Sequence, residues 1–448
     1  MFQRVELPLW LLVLILLFAG FTFASHFLFP SVRWYLRRRM ERVVAKLNQN
    51  LNRPIEPFKL ARRYDMIQRL IYDPKIAEAI AEHAAEENVP EAVAFERARR
   101  YAREIVPGFS ASLYFGFAIR LARWLSEKLY IVHLDDSNEA ALKAIDGDAT
   151  VVFVMNHRSN MDYVLITYLV ADRSALSYAV GEWARVWPLS RLIRAMGAFF
   201  IRRKSRNTLY RRVLARYVQL ATRGGVTQAI FPEGGLSLDG AVGPPKLGLL
   251  SYIIADFDPD EARDVVFVPV ALNYDRVLED RVLTKAAEKG EKRFRASIAT
   301  GIWFVCRYVW RRLRGTAVRF GHAGVSFGTP QSLAALVKGS KNDITKDVGK
   351  ALRKSVMASI PPLPVSVTAF AFHNLGGRAS RSDLTAAVSG ALENITHTSL
   401  ADAETVVEEA LKTLTTRRIV SVDGEFLVSN PENQQLLDYY AKSVEHLL

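Results

Sequence analysis

Five short apolar runs alternate with helical stretches through the middle of the chain, and this alternation limits the possible folds most. The runs are rich in β-branched and aromatic residues, which is typical of strands buried on both faces of a sheet. Strands that alternate with helices predict an α/β domain with a mostly apolar central sheet flanked by helices. In the fourth run, Pro269 lacks a backbone donor and predicts an edge position or a bulge. The runs occupy residues 150–156, 174–180, 226–232, 264–274 and 317–328.

The segments before this alternation have a different pattern. Residues 31–106 are strongly charged and helical, and Pro90 is predicted to divide them into two helices. Residues 107–130 place apolar side chains at helical spacing on one side and basic ones on the other, which predicts an amphipathic helix. Two interpretations stay open for this helix: it packs on the α/β core, or it rests on a membrane surface.

Beyond residue 340 the pattern is helical as far as Thr416 and then changes to a predicted β-hairpin. We expect the turn at Asp423-Gly424, a dipeptide that is favoured in two-residue hairpin loops. A closing helix follows, and helices with a hairpin are typical of a winged-helix-like module. The predicted division is an anchor over 1–30, a helical region over 31–130, the α/β domain over 131–340 and a C-terminal helical module over 341–448.

The N-terminal residues predict a transmembrane anchor. No Asp, Glu, Lys or Arg occurs from Leu7 to Phe29, and a spanning helix needs ~20 apolar residues. Five arginines follow within residues 33–42, whereas Arg4 alone precedes the stretch. This asymmetry predicts that the body of the protein lies on the cytoplasmic side of the cell (inner) membrane. A cleaved signal peptide is the alternative, but its apolar stretch would be ~7–15 residues long and would follow the basic cluster.

The net charge of +14 favours polyanionic partners such as anionic membrane lipids, nucleic acids or phosphorylated substrates. The basic residues are dispersed along the chain, so we expect no nucleic acid partner. The single cysteine, Cys306, excludes an intramolecular disulfide framework and fits a reducing compartment. No cysteine–histidine cluster has zinc-ligand spacing, and neither a metal site nor a cofactor is predicted.

His157 follows the first apolar run directly and begins the segment HRSNMD. Backbone N–H groups are free where a strand ends and a helix starts, so chemistry concentrates there. If the chain turns into a helix at Ser159 or Asn160, the Asp162 carboxylate folds back to the imidazole and leaves its other nitrogen as a base. Spacing alone allows an alternative, a loop histidine with Asp162 as a helix cap. Ser159 lacks the Gly-x-Ser-x-Gly elbow of a nucleophile and is expected to cap a helix.

A basic cluster follows a strand-like run in MGAFFIRRKSRN. Paired arginines present bidentate donors that match phosphate. A solvated basic patch or a contact to lipid headgroups is the alternative from charge alone. The cluster contains Arg202, Arg203 and Lys204.

A turn with an acidic residue follows another predicted strand in AIFPEGGLSLDG. Glu233 ends that strand, and Gly234 and Gly235 would let a ligand approach the backbone closely. Taken alone, such a segment is more often an ordinary turn than a site. Lys246, in GPPKLG just downstream, would add a positive charge to the same cleft.

Four stretches, NHRSNMD, GAFFIRR, FPEGG and VPVALNY, resemble in this order the blocks of the glycerolipid acyltransferase family. From about Val106 to the C-terminus, the longer forms of these stretches resemble bacterial membrane-bound glycerol-3-phosphate acyltransferases. The resemblance implies an acyltransferase of the first step of phospholipid synthesis, with residues 131–340 as its catalytic domain. The glycerol hydroxyl at sn-1 would attack the thioester of acyl-CoA or acyl-acyl-carrier protein, without a metal or a covalent intermediate.

The resemblance also implies roles for the residues at matching positions. His157 would be the general base and Asp162 would orient it. Backbone N–H groups near the start of the helix after His157 would stabilise the oxyanion of the thioester carbonyl. The acceptor phosphate would lie at Arg202 and Arg203, with Lys204 and Lys246 as further cations, and Glu233, Gly234 and Gly235 would shape the acceptor cleft.

The third block departs from the pattern of the glycerol-3-phosphate enzymes. Leu236 and Leu238 stand where arginines are expected, and the proline of FPEGG matches the lysophosphatidate enzymes better. An acceptor that is lysophosphatidate or another lysophospholipid is therefore the alternative to glycerol 3-phosphate. A catalytically silent, membrane-anchored binding protein is an alternative of a different class, but a silent site has no need for both His157 and Asp162.

Overall fold

The computed structural model describes most of the chain, and it separates into two compact units, Met1–Ile55 and Glu56–Leu448. The described residues are 8–135, 137–171, 174–181, 189–202, 207–259, 263–290, 310, 319–339, 343–395 and 400–448; side chains 23–33, 36–37, 40–41 and 50 are outside this description.

The first unit contains one long helix, α1 (Leu9–Asn50), that begins after Pro8. Apolar side chains near its start, including Trp10 and Phe18, are exposed. Within the described residues, no helix combines the length and the apolar character that crossing a membrane requires. The anchor predicted over residues 1–30, part of which lies outside the described residues, is therefore not supported.

The second unit begins with a group of short helices. They are α2 (Pro57–Leu60), α3 (Arg63–Ile71), α4 (Pro74–Glu86) and α5 (Glu91–Ile105). Pro90 lies directly before α5, so the predicted break is confirmed. The charged region nevertheless has more helices than the two predicted. A second break lies at Pro74, where the Asp73 side chain accepts the Lys75 N–H (3.1 Å) and caps a new helix.

The predicted amphipathic helix is present as a π-helical turn, Ser112–Ala118, that continues into α6 (Ile119–Leu129). Its small side chains Ala118, Ala122 and Ser126 are buried. Helix α6 packs against the helix Met161–Leu169 of the α/β region. Packing on the α/β core is therefore confirmed for one side of the helix. The other side exposes Phe117, Leu121 and Trp124.

The central sheet is mixed, with the strand order β1-β7-β6-β2-β5-β3-β4 and β8 beside β6. Neighbouring strands are parallel except β6 with β7 and β6 with β8. All five predicted strands are confirmed, and the strand-like run before Arg202 is β4. The strands are β1 (Ile131–Asp135), β2 (Thr150–Met155), β3 (Ser177–Gly181), β4 (Phe199–Ile201), β5 (Gln228–Ile230), β6 (Val265–Tyr274), β7 (His322–Phe327) and β8 (Gln331–Ser332).

Helices cover both faces of this sheet, as predicted. Successive side chains of a strand point to opposite faces, and β2 shows this directly. Phe153 and Met155 belong to one hydrophobic cluster, whereas Val152 and Val154 belong to a second one. The covering helices are α7 (Glu139–Lys143), α8 (Met161–Leu169), α9 (Leu189–Ala195), α10 (Thr208–Arg223), α11 (Gly248–Ile254), α12 (Asp280–Glu288), α13 (Leu333–Gly339) and α14 (Ile344–Ala358).

Pro269 lies inside the sheet, so of the two positions predicted for it the edge is wrong, whereas the bulge agrees with the pairing: residues 268–269 of β6 lie opposite residues 328–330. Pro269 pairs with Val154 of β2 on one side. On the other side, the neighbour of β6 changes from β8, paired at Phe267, to β7, paired at Val270. The Pro269 carbonyl accepts the N–H of Gly328, in the link between β7 and β8. Proline has no backbone N–H to donate. At Pro269 this donor would point to the place where β6 changes its neighbour from β8 to β7, so no hydrogen bond between paired strands is lost.

The C-terminal residues form helices around a second, three-stranded sheet of order β10-β11-β9. The predicted hairpin is confirmed: Asp423 pairs with Phe426, so its two-residue loop is Gly424-Glu425, one position later than expected. This order of elements agrees with a winged-helix-like module, and the predicted domain boundaries stay predictions. The elements are α15 (Pro364–Asn374), β9 (Arg378–Ser380), α16 (Arg381–Glu393), α17 (Ala403–Thr416), β10 (Val420–Asp423), β11 (Phe426–Ser429) and α18 (Gln434–Ala441).

Candidate active site

The candidate site lies where β2 leaves the central sheet. The side chain of Asn156, directly after β2, continues the pairing with β6. Its Nδ2 donates to the Leu272 carbonyl (2.9 Å) and its Oδ1 accepts the Leu272 N–H (2.8 Å). The strand end is thus fixed before the chain turns into the loop 157–160 and then α8. In open α/β sheets, ligands bind outside the carboxyl ends of the strands.

His157 and Asp162 meet in this loop. Nδ1 of His157 lies 2.9 Å from Oδ2 of Asp162, and the two side chains are 4% and 0% exposed. Because a carboxylate oxygen accepts, Nδ1 carries the proton, and in the neutral imidazole Nε2 then holds the lone pair. Nε2 makes no hydrogen bond to the described part of the chain. The contact predicted from the spacing is therefore confirmed.

The Asp162 carboxylate is surrounded by donors. Oδ2 also accepts the backbone N–H groups of Arg158 (2.8 Å) and Ser159 (3.0 Å), and Oδ1 accepts the Tyr274 hydroxyl (2.7 Å). Asp162 therefore caps the start of α8 and orients the imidazole at the same time. Burial is the larger cause that raises the pKa of Tyr274 well above its usual range, and the charge of Asp162 adds to it. The Tyr274 hydroxyl therefore keeps its proton and stays a donor.

Glu279 holds the next two residues of the loop. Its carboxylate accepts the Ser159 hydroxyl (2.7 Å), the Asn160 N–H (3.2 Å) and the Asn160 side-chain amide (3.0 Å). Burial raises the pKa of this carboxyl. Ser159 Oγ also accepts the Met161 N–H (3.1 Å). The hydroxyl is thus committed to the loop, in agreement with a capping serine and not with a nucleophile.

The backbone N–H groups from His157 to Asp162 all have an acceptor. In chain order these acceptors are Glu233 Oε1, Asp162 Oδ2 twice, Glu279 Oε1, Ser159 Oγ and the Ser159 carbonyl. The expectation that these groups stabilise an oxyanion is therefore wrong for this conformation. A helix start whose N–H groups are all bonded to side chains and to its own first turn leaves no free donors.

Aromatic side chains form the walls around the imidazole. The Phe231 ring stacks on His157 with centroids 4.1 Å apart and an interplanar angle of 29°. The Tyr163 ring meets His157 edge-on at 5.5 Å and also contacts Phe231 at 4.9 Å. Together with the bond to Asp162, these rings fix the plane of the imidazole and hence the direction of Nε2.

Glu233 connects its own segment, FPEGG, to the segment NHRSNMD that contains His157. Its Oε1 accepts the His157 N–H (2.8 Å) and its Oε2 accepts the Gly243 N–H (3.0 Å). Burial raises the pKa of this carboxyl to about 7, although the two N–H donors act in the opposite direction. The structure therefore brings Glu233 to the site as a residue that positions the His157 backbone.

Lys246 and the glycine pair lie beside Glu233. Lys246 Nζ donates to the Glu233 carbonyl (2.6 Å). Gly234 has a φ of +64°, and a Cβ there would lie 2.9 Å from Cδ of Lys246, whereas nothing lies within 4 Å of a Cβ at Gly235. These predicted residues are thus close to His157 through Glu233. Their role towards an acceptor stays a prediction.

Arg202 lies apart from His157. It follows β4, which is three strand spacings, about 14 Å, from β2 in the sheet. Its guanidinium forms two bonds to Glu104 of α5, 2.8 and 2.6 Å long, and these bonds raise its pKa above the usual range. A phosphate at Arg202 would have to replace or share Glu104. Arg203 and Lys204 lie outside the described residues.

Leu236 and Leu238, which stand in place of the expected arginines, are partly buried and pack against the larger hydrophobic cluster. Between them, the Ser237 N–H donates to the His157 carbonyl (2.9 Å). This loop therefore supports His157 with backbone and apolar contacts, and the two leucines offer no group that binds phosphate.

Arg158 is a functional candidate that the sequence did not single out. It is 2% exposed, and its Nη1 donates to the Gly240 carbonyl. Its Nε and Nη2 have no partner among the described residues. The guanidinium carbon lies 4.8 Å from the ring centroid of Tyr439 in α18. Arg158 belongs to the first block itself, so its position next to His157 was the available signal.

The arrangement supplies an oriented base. Within the described ranges, no group of three or more His, Cys, Asp or Glu side chains could hold a metal ion. An imidazole whose Nδ1–H is held by a buried carboxylate can take a proton at Nε2 from a bound hydroxyl and return it to a leaving group. This chemistry requires an acceptor with a hydroxyl and an electrophile next to it.

Comparisons with known proteins identify similar proteins that are named as acyltransferases. Residues 118–273 match the family model described as acyltransferase. A glycerol-3-phosphate acyltransferase from Ectopseudomonas mendocina is 28% identical over 425 residues, which cover 87% of this chain and 49% of that protein. One from Pseudomonas syringae pv. tomato is 29% identical over 318 residues, which cover 68% of this chain and 36% of that protein. The chain spans about half the length of these relatives or less.

A solved structure is also similar to part of the chain. It is the 1-acyl-sn-glycerophosphate (LPA) acyltransferase PlsC from Thermotoga maritima, with 19% identity and a TM-score of 0.34. The similarity covers 58% of this chain and 81% of that chain.

Proposed function

The chain belongs to the acyltransferase family, whose model matches residues 118–273, and on that premise we propose that it acylates glycerol 3-phosphate. The acyl group would come from an acyl thioester, acyl-CoA or acyl-acyl-carrier protein, and would go to the sn-1 hydroxyl. The observation that carries the proposal is the buried His157–Asp162 pair, whose Nε2 has no partner among the described residues. The names of the curated relatives support this acceptor.

The proposed reaction is direct transfer. Nε2 of His157 takes the proton of the hydroxyl as its oxygen forms a bond to the thioester carbonyl carbon. The C–S bond then breaks, and the imidazolium returns the proton to the departing thiolate. Asp162 stabilises the imidazolium through Nδ1–H, and Tyr274 and the backbone donors hold Asp162 in place. No covalent enzyme intermediate is needed, since Ser159 is committed to Glu279.

A lysophospholipid acceptor is the second candidate. The packing of Leu236 and Leu238 against the core favours it, because a more apolar cleft suits a lipid and lacks two phosphate ligands. A silent binding protein is disfavoured, because a buried His–Asp pair with its donors in place has a desolvation cost that binding alone does not explain.

We also propose that the reaction takes place at the cytoplasmic face of the cell membrane. The five arginines within residues 33–42 support this location, because basic segments are attracted to the anionic cytoplasmic face of a membrane. Within the second unit, Phe117, Leu121 and Trp124 are exposed on one side of the π-helical turn and α6, close to the exposed Arg120 and Arg123. Apolar side chains flanked by arginines suit the interface of an anionic bilayer.

The test is an acceptor comparison. Purified protein is incubated with palmitoyl-CoA and either glycerol 3-phosphate or lysophosphatidate, and the acylated products are identified by mass spectrometry. We expect lysophosphatidate from glycerol 3-phosphate, with one thiol released for each ester formed. Product from lysophosphatidate alone would select the second candidate, and no acylation of either acceptor would reject both.

A further inference from the structure

Arg158 connects three segments around the candidate base. Its backbone N–H donates to Asp162 Oδ2 (2.8 Å). Its side chain crosses to the segment 233–243, where Nη1 donates to the Gly240 carbonyl. The Tyr439 ring of α18 lies against the guanidinium, whose carbon is 4.8 Å from the ring centroid. Arg158 therefore contacts the loop after β2, the segment that begins with Glu233 and the C-terminal module at once.

The guanidinium is a buried cation that no carboxylate of the described residues accepts from. Arg158 is 2% exposed, and its Nε and Nη2 have no partner in the part of the chain that the structure describes. Nη1 donates to a carbonyl, which carries no full charge. An arginine stays protonated when it is buried, and burial of an uncompensated charge is costly. We therefore expect anions of the same site to offset this charge.

Three carboxylates around the loop supply such negative charge. Asp162, Glu233 and Glu279 each accept backbone N–H groups of residues 157–160. Burial is the main cause that raises the pKa of both glutamates, and the like charge of Asp162 adds to it. For Glu233, two backbone N–H donors and then the charge of Arg158 lower the pKa. Loss of the cation would therefore favour protonation of Glu233.

Glu233 is the carboxylate whose ionisation matters most for the position of the base. Its Oε1 accepts the His157 N–H (2.8 Å) and its Oε2 accepts the Gly243 N–H (3.0 Å), so both oxygens are acceptors. A protonated carboxyl carries a hydrogen on one oxygen, which would weaken one of these two bonds. Because the pKa of Glu233 is raised to about 7, a modest loss of positive charge would protonate it at neutral pH.

Two other cations face Glu233 from neighbouring segments. Lys246 Nζ donates to the Glu233 carbonyl (2.6 Å), and Arg353 of α14 donates to the Gly243 carbonyl (3.1 Å). Lys246 is exposed and Arg353 is partly exposed, so water screens their charges. The charge of Arg158 is enclosed, and charges interact more strongly away from water. Of these three cations, Arg158 is therefore expected to affect Glu233 most.

We propose that Arg158 is a positioning residue: its enclosed charge keeps Glu233 ionised, and the ionised Glu233 holds the backbone of His157 in place. The inference rests on the proposed acyl transfer and adds a residue to it. The Gly240 carbonyl and the Tyr439 ring hold the guanidinium, so helix α18 contributes to the arrangement. Arg158 acts through Glu233 and takes no part in the bond changes.

The test separates the charge of Arg158 from its packing. Arg158→Gln removes the charge and keeps an N–H donor for the Gly240 carbonyl, whereas Arg158→Lys keeps the charge. Arg100→Gln, at an exposed position of α5, is the control for the loss of one positive charge. The pH dependence of kcat/KM is measured for acylation of glycerol 3-phosphate with palmitoyl-CoA, in the wild type and in these variants.

In Arg158→Gln we expect the acidic limb of the pH profile to move to higher pH by about one unit, the scale on which one nearby opposite charge shifts a carboxyl. Loss of the cation raises the pKa of Glu233, so a higher pH is needed to ionise it. Arg158→Lys should restore the limb, and Arg100→Gln should match the wild type. Most of the shift should disappear when Arg158→Gln is combined with Glu233→Gln, because the titrating group is then absent.

An infrared titration gives a second readout that does not depend on activity. The C=O stretching band of protonated Glu233 is identified as the band that Glu233→Gln lacks. We expect the midpoint of its titration to lie at higher pH in Arg158→Gln than in the wild type, and to return towards the wild type in Arg158→Lys.

A merely structural role would give a different pattern. If Arg158→Gln lowers kcat by the same factor at every pH and leaves the infrared midpoint unchanged, the proposal fails while acyl transfer stands. An equal shift of the acidic limb with and without Glu233 also contradicts it, because Arg158 would then act on another group. If the wild type forms no product while the infrared midpoint moves as expected, the proposed function fails and the effect of Arg158 on Glu233 remains.

The double variant Arg158→Gln/Glu233→Gln also tests the case in which Arg158→Gln does not fold. If Arg158 offsets the charge of Glu233, removal of both charges should restore folding, as circular dichroism would show. Failure of both variants to fold would make Arg158 a structural anchor and contradict the proposal.

Discussion

At the scale of single residues, the site depends on the Asp162 carboxylate, whose two oxygens accept from His157, Tyr274 and two backbone N–H groups. Asp162→Asn would place an amide NH2 against at least one of these donors and disturb the tautomer of His157. We expect kcat to fall by about 10²-fold or more, the scale of general base catalysis, with little change in the KM for the acceptor. Steady-state kinetics over both substrates measure this.

Tyr274→Phe is the matched control for this prediction, because it removes one donor to Asp162 and leaves the carboxylate. Its effect on kcat should be much smaller. A variant Asp162→Asn that raises the acceptor KM at unchanged kcat would make Asp162 a binding residue instead.

Glu233 gives a prediction about pH. Burial raises the pKa of this carboxyl from 4.5 to about 7, so the folded chain binds the proton more tightly than the unfolded chain does. Stability from this group is present below about pH 4.5 and is lost as pH rises towards 7. In Glu233→Gln, the free energy of unfolding should therefore decline less steeply across this window, as urea titrations at several pH values would measure.

The control for Glu233 is Glu425→Gln, an exposed residue of the hairpin loop, which should keep the slope of the wild type. Equal slopes for the wild type and Glu233→Gln would contradict the raised pKa. Asp275 is a second buried carboxyl with a pKa raised by burial to about 7, and Asp275→Asn should also reduce the slope.

The contact between His157 and Asp162 could be predicted because their spacing within one loop is local in sequence. Residues that reach the loop from elsewhere could not. Glu279 holds Ser159 and Asn160 from 119 to 120 positions away, and no pattern near Glu279 indicates this contact. The bidentate bond of Arg202 to Glu104 was missed for the same reason, since charge alone does not reveal an ion pair between distant segments.

At the scale of elements, helix α18 approaches the third block very closely. Gly240 has a φ of +94°, and a Cβ there would lie 1.9 Å from the Tyr439 carbonyl oxygen. Gly240→Ala therefore requires both a strained backbone and a shift of α18. We expect a loss of stability of about 1–3 kcal/mol or more, measured by chemical denaturation, and a loss of activity because Arg158 also contacts both segments.

Gly235→Ala is the matched control in the same loop, because nothing lies within 4 Å of its Cβ position and its φ is not positive. Its stability should stay close to that of the wild type. Equal stabilities for the two variants would mean that α18 does not pack on Gly240 in solution.

Strands were predictable where both faces are buried, because continuous apolar runs mark them. The edge strand β1 was not, since its side chains alternate between exposed and half-buried and its sequence IVHLD is only partly apolar. Sequence alone could not choose between an edge and a bulge at Pro269, because it does not show that the neighbour of β6 changes at that residue.

At the scale of the whole molecule, the C-terminal residues are joined to the α/β core by a buried polar network. Arg417 lies 2.6 Å from Asp280, with side chains 7% and 4% exposed. The Tyr440 hydroxyl accepts from Arg417 (3.0 Å) and from the Val277 N–H (3.1 Å) and donates to Asp280. The start of α12, next to Glu279, is thus held by α17 and α18.

Breaking this network should destabilise the second unit as a whole. Asp280→Asn leaves Arg417 buried without its counter-charge, and we expect a cost of about 3–5 kcal/mol with one cooperative transition. Glu408→Gln, in an exposed ion pair with Lys412, is the control and should unfold like the wild type. Two separate transitions in Asp280→Asn would show that the C-terminal module folds independently of the core.

The central claim is that His157, oriented by Asp162, is the base of an acyl transfer to glycerol 3-phosphate. The most direct measurement is a single-turnover assay of labelled glycerol 3-phosphate with excess enzyme and palmitoyl-CoA, for the wild type and His157→Ala. We predict product formation by the wild type and a rate constant lower by about 10²–10⁴-fold in His157→Ala, with unchanged circular dichroism. Equal rate constants in the two proteins would contradict the claim.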